Sequence, residues 1–165
     1  MISVRTATRS VFTVAAALCL CAPRATAQLR IPAYTEYRAD GIFGRGSTAQ
    51  AGLGAVYQIG PYVRTTIDAA GGATWHDEQT RASGRIDLIA RFLLDPFREA
   101  PLGLSMGGGV TVPYASGDAH VRPLLTAVLD LEGRMRHDIT PAVQIGLGGG
   151  ARIGVVLRTS PPRWR

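Results

Sequence analysis

STAQAGLGAVYQIGPYVRTTIDAAGGATW, residues 47–75, alternates with a period of two on both sides of a central Gly60-Pro61 turn. Ala49, Ala51, Leu53, Ala55, Tyr57 and Ile59 share one face of the first half. Val63, Thr65, Ile67, Ala69, Gly71, Ala73 and Trp75 share one face of the second. The opposite faces carry Gln50, Gly52, Gly54 and Gln58, then Arg64, Thr66, Asp68, Gly72 and Thr74. Successive side chains of a strand point to opposite sides, so this stretch predicts a hairpin with one apolar and one polar-to-small surface. Strands of about 13 residues are long for a soluble domain and suit a tilted membrane crossing, which needs roughly 9–11 residues.

The start of the chain reads as a targeting segment. Arg5 and Arg9 precede an apolar run, residues 11–21, broken only by Thr13, and Ala25-Thr26-Ala27 supplies a small-residue cleavage site. The run is too short for a helical span of roughly 20 residues. The expected organisation is therefore a cleaved secretory signal over 1–27, a barrel domain over 28–158 and a tail over 159–165. Removing 27 of the 165 residues leaves 138, enough for one domain. Both cysteines, Cys19 and Cys21, fall in the signal, so the remainder has no disulfide and no thiolate chemistry. The signal also holds three of the 18 arginines, which lowers the formal charge from +6 to +3. The remaining arginines are scattered among Asp and Glu rather than gathered in a stripe, which argues against nucleic acid as a partner.

After Gln28 no run of 18 apolar residues remains, and turn signals separate strand-like segments, which predicts an all-β domain. A weaker strand over 28–39 is followed by a Gly-rich loop over 40–46, then the hairpin above and a polar loop over 76–82. Further strands are expected over 83–95, 102–114 and 121–132, with a basic turn GRMRHD at 133–138. Residues 139–158 keep one parity but exceed a usual strand. Read with a hairpin at Gly148-Gly149-Gly150 the chain has eight strands. Read by the weak repeat of Gly clusters after Pro61, Pro101 and Pro141 it has seven. Bacterial single-chain barrels have even strand counts, which favours an antiparallel up-and-down barrel of eight.

A soluble lipocalin-like barrel, carrying a small apolar ligand in the periplasm, alternates equally well with its apolar face inward. Three features favour a membrane barrel. Tyr57, Tyr62 and Phe97 fall near one set of turns and Trp75 and Tyr114 near the other, as in two interfacial girdles. The polar face carries charge in mid-strand, where Arg64, Asp68, Arg85, Asp87, Arg91, Arg122 and Asp130 would pair inside a lumen. The same face is rich in glycine, which suits a small barrel's interior.

With its signal, its alternating Gly-rich strands and Tyr57-Gln58-Ile59-Gly60-Pro61-Tyr62 at a short turn, the chain resembles the small outer-membrane β-barrel proteins of the outer-membrane protein A or W transmembrane type. The resemblance implies residence in the outer membrane of a diderm bacterium, with lipid and the barrel-assembly machinery as partners. Proteins of this type usually end on a strand with a terminal aromatic. Here Trp164 is penultimate and follows Pro161-Pro162.

No Gly cluster is followed by Gly-Lys-Ser/Thr, so none reads as a nucleotide loop. His76-Asp77-Glu78 and Ser116, Asp118 and His120 fall on one rim, where a lipid-modifying hydrolase could assemble a nucleophile and base. No recognisable motif frames them, so the expectation is a non-enzymatic protein without catalytic residues. The spacing of His76, Asp77 and Glu78 does not converge metal ligands, and His137 sits among Arg134 and Arg136 in a solvated turn. No cofactor or metal is expected. The expected role is structural or interactive, at best a narrow pore.

Overall fold

The computed structural model describes residues 33–44, 46–76, 79–96, 100–117 and 121–159. The expected signal, Phe97, Asp118, His120 and Trp164 lie outside them. Alternation runs unbroken through β2 (Ser47–Ile59) and β3 (Val63–His76), which pair antiparallel from Ser47↔Trp75 to Ile59↔Val63. Gly60 makes the turn possible with φ 73°, a left-handed conformation that a Cβ disfavours. Around this hairpin lie β1 (Ala33–Phe43), β4 (Gln79–Leu93), β5 (Gly103–Ala115), β6 (Leu124–Glu132), β7 (Ile139–Leu147) and β8 (Ala151–Thr159). Each strand pairs with its neighbours in sequence, and β8 returns to β1 through Glu36↔Arg158 to Phe43↔Ala151. The result is a closed eight-stranded up-and-down barrel with no free sheet edge.

Several boundaries differ from the sequence reading. Residues 40–43 are strand rather than loop: Asp40 pairs with Gln50 on one side and Gly154 on the other. The polar stretch 76–82 is mostly ladder, with His76 opposite Gln79. Residues 139–158 do divide at the three glycines, where Gly149 has φ 79°. The barrel includes Thr159, whose hydroxyl accepts a hydrogen bond from the Thr35 N–H at 2.9 Å.

The barrel is polar within and apolar without. Leu53, Ile67, Leu88, Met106, Val143 and Ile153 are each about half exposed on the outer wall, while the alternate positions are buried. Inward glycines let neighbouring strands approach closely. A Cβ on Gly109 would stand 1.9 Å from the Leu88 carbonyl oxygen, a backbone atom that cannot swing aside. We therefore expect Gly109→Ala to separate β4 from β5 and cost about 1–3 kcal/mol, as overpacking typically does. A urea midpoint equal to wild type in a detergent-refolded sample would contradict this.

Candidate functional site

The alternation that puts leucines outside puts E-x-R-x-D of β1, R-x-x-x-D of β3, R-x-D-x-x-x-R of β4, D-x-E of β6 and R-x-x-x-x-x-R of β8 inside. Six arginines are buried there: Arg38, Arg64, Arg85, Arg91, Arg152 and Arg158. Six carboxylates face them: Glu36, Asp40, Asp68, Asp87, Asp130 and Glu132. The buried charge of the described lumen is thus balanced.

Toward the rim that carries the β1–β2 and β7–β8 turns, Arg85 pairs with Asp40 and with Asp87 at 3.0 Å, and also donates to Gln50 at 3.1 Å. Arg152 reaches Asp87 at 2.8 Å from the opposite wall. In the next layer Arg38 holds Asp68 at 2.6 Å and Asp40 at 3.0 Å. Gln144 ties layers together: its Oε1 accepts from Arg38 and from Arg152 at 2.7 Å, and its Nε2 donates to Asp130 at 2.6 Å. Arg158 then engages three carboxylates, Glu36 at 2.7 Å, Asp130 at 2.5 Å and Glu132 at 2.9 Å. Arg91 pairs with Asp130 at 3.0 Å, and Arg64 closes the far end on Glu132, with Ser105 Oγ at 3.2 Å. Every guanidinium is shared between strands distant in sequence, so the network cross-links the walls as well as filling the space. Taking such charges out of water costs several kcal/mol per ion, offset only by multidentate geometry of this kind.

Of the residues singled out from sequence, Arg64, Asp68, Arg85, Asp87, Arg91 and Asp130 meet in this network. Arg122 does not. It is exposed in the segment before β6, because Pro123 offers no N–H to a ladder and pairing starts at Leu124↔Thr111. Glu36, Arg38, Asp40, Glu132, Arg152, Arg158 and Gln144 are network members the sequence reading left out. Their common parity with the lumen positions of neighbouring strands was the available signal. Tyr62, Trp75 and Tyr114 are exposed on the outer wall, Tyr62 stacking on Phe92 at 5.9 Å, and Tyr57 is half-buried.

Above Arg85 the lumen opens into a vestibule of about 180 Å³ of mixed lining, with Thr48, Thr74, Ser83 and Thr111 beside Ile42 and Leu124. At the other rim a cleft of about 360 Å³ lies between the start of β5 and the β6–β7 turn. Among the described residues no three His, Cys, Asp or Glu side chains are grouped so as to hold a metal. Ser116 bonds Ala82 through its backbone N–H at 2.8 Å.

No family model matches this sequence, and no curated protein does. Solved structures of similar fold include a de novo designed transmembrane β-barrel, 15% identical with a TM-score of 0.52, covering 76% of this chain and 93% of that one. The N-terminal β-barrel domain of OprF from Pseudomonas aeruginosa is 13% identical with a TM-score of 0.52, covering 78% of this chain and 98% of that one. At such identities the likeness is one of fold.

Proposed function

We propose that this chain is an integral outer-membrane β-barrel of a diderm bacterium, non-enzymatic, with a structural or interaction role and a lumen sealed by its own ions. The observation that supports this reading is the inverted polarity: large apolar side chains stand exposed around the wall while arginines and carboxylates are buried inside. In water that arrangement would expose a continuous apolar belt and bury charge at once. In lipid the apolar wall matches the hydrocarbon, the charged side chains are kept out of it inside the lumen, and closure leaves no sheet edge unpaired. A soluble carrier of an apolar ligand would need the opposite interior. Lipid and the barrel-assembly machinery are the partners this reading implies.

The refolded protein should migrate faster unheated than boiled on gels, fractionate with membranes, and give no large stable conductance in a planar bilayer. Recovery as a soluble periplasmic monomer would overturn the membrane assignment, and a large stable conductance would overturn the sealed lumen. Lipid hydrolysis by the same sample, abolished in Ser116→Ala, would establish an enzyme instead.

A further inference from the structure

With the lumen balanced, the formal charge outside it carries information about partners. Among the described rim residues, Arg134 and Arg136 lie on the β6–β7 turn, at the end where β1 begins and β8 finishes.

That same end carries the 360 Å³ cleft, and its lining is divided by chemistry. Leu104 and Pro101 at the start of β5 and Met135 on the turn, 43% exposed, make an apolar side continuous with the outer wall. Arg134 lines the other side, and Arg136 follows it on the same turn. The two carboxylates in the lining are already engaged. Glu132 holds Arg64 and Arg158, and Asp95 accepts the Ala100 N–H at 2.8 Å. Arg134 and Arg136 are exposed and form no ion pair among the described residues. The turn that carries them is a fixed hairpin. Arg136 and Ile139 exchange backbone hydrogen bonds at 2.9 Å across His137 and Asp138, both at positive φ.

We infer that this cleft binds the headgroup of an anionic phospholipid, with Arg134 and Arg136 on the phosphate and Leu104 and Met135 against the start of an acyl chain. A phospholipid presents anionic phosphate next to hydrocarbon, and the cleft presents unpaired guanidinium next to an apolar wall. This inference rests on the membrane reading above.

The test reconstitutes the refolded full-length protein in vesicles of equimolar phosphatidylcholine and phosphatidylglycerol and identifies retained lipid by native mass spectrometry after mild detergent extraction. Phosphatidylglycerol should be retained about 30-fold over phosphatidylcholine, the scale expected of two arginines at an anionic surface. Arg134→Gln/Arg136→Gln should abolish the preference. Both positions are exposed, so the variant should still fold, as its heat-modifiable migration will report. Equal retention of the two lipids, or an undiminished preference in the double variant, would overturn the proposal. Displacement of the lipid by excess inorganic phosphate alone would also overturn it, showing a bare anion site. Failure to insert into pure phosphatidylcholine vesicles is a separate outcome and overturns the membrane reading instead.

Discussion

Arg158→Met should destabilise the folded barrel by about 3–5 kcal/mol, the usual consequence of removing one partner from a buried ionic cluster. Arg158 is the one lumen arginine that engages three carboxylates within 2.9 Å, drawing together β1, β6 and β8. Methionine fills similar space and leaves Glu36, Asp130 and Glu132 to Arg38, Arg64 and Arg91. Five arginines then face six carboxylates. The cost lies mainly in that uncompensated charge rather than in lost packing, so Arg158→Met/Asp130→Asn, which restores balance, should be more stable than the single variant. Urea titration of the vesicle-inserted protein, followed by loss of heat-modifiable migration, measures both. A single variant with the wild-type midpoint, or a double variant weaker than the single, would mean that the network contributes by shape rather than charge.

Leu88→Arg should disrupt insertion from the other side of the same strand. Leu88 faces outward between Ile67 of β3 and Val110 of β5 and is 50% exposed, whereas its neighbours Asp87 and Ile89 are fully buried in the lumen. Arginine at the bilayer midplane of a barrel costs about 2–4 kcal/mol. That lowers the inserted-to-free ratio by about 30-fold to several hundredfold. A control at the rim, Trp75→Arg, should cost far less, because charge near the interface is close to neutral. Equal insertion of Leu88→Arg and wild type would place that wall in water.

The two hairpin strands on which the sequence reading turned, β2 and β3, are where local and tertiary signals agree. Alternation, a Gly-Pro turn and long apolar faces all specify one register. The errors fall where they conflict. Asp40-Gly41 is a strong turn dipeptide, yet Asp40 is held in the ladder because its carboxylate is clamped by Arg38 and Arg85, an interaction between residues 45 apart that no local window contains. Residues 79–82 look like a loop because they are polar, but the strands run past the apolar belt. The lumen network was half legible. Charges on strands with clean alternation could be assigned a side, as for Arg64, Asp68, Arg85, Asp87 and Arg91. Glu36 and Arg38 lay on a strand whose alternation was weak, and Arg152 and Arg158 lay on one that could not be separated from β7. Which arginine meets which carboxylate depends on barrel closure, and no sequence spacing encodes it.

The balance of six arginines and six carboxylates is a property of the finished cylinder only. Counted strand by strand, β1 to β7 contribute Arg38, Arg64, Arg85 and Arg91 against all six carboxylates, and β8 alone brings Arg152 and Arg158. A seven-stranded assembly intermediate would hold two uncompensated negative charges as well as two open sheet edges. Adding β8 to such an intermediate would resolve both faults together, since the residues that zip onto β1 are the ones that neutralise Glu36, Asp40 and Asp130. Closure by this strand would therefore gain electrostatic attraction in addition to backbone pairing. A chain shortened by this one strand should stall open rather than settle into a smaller barrel.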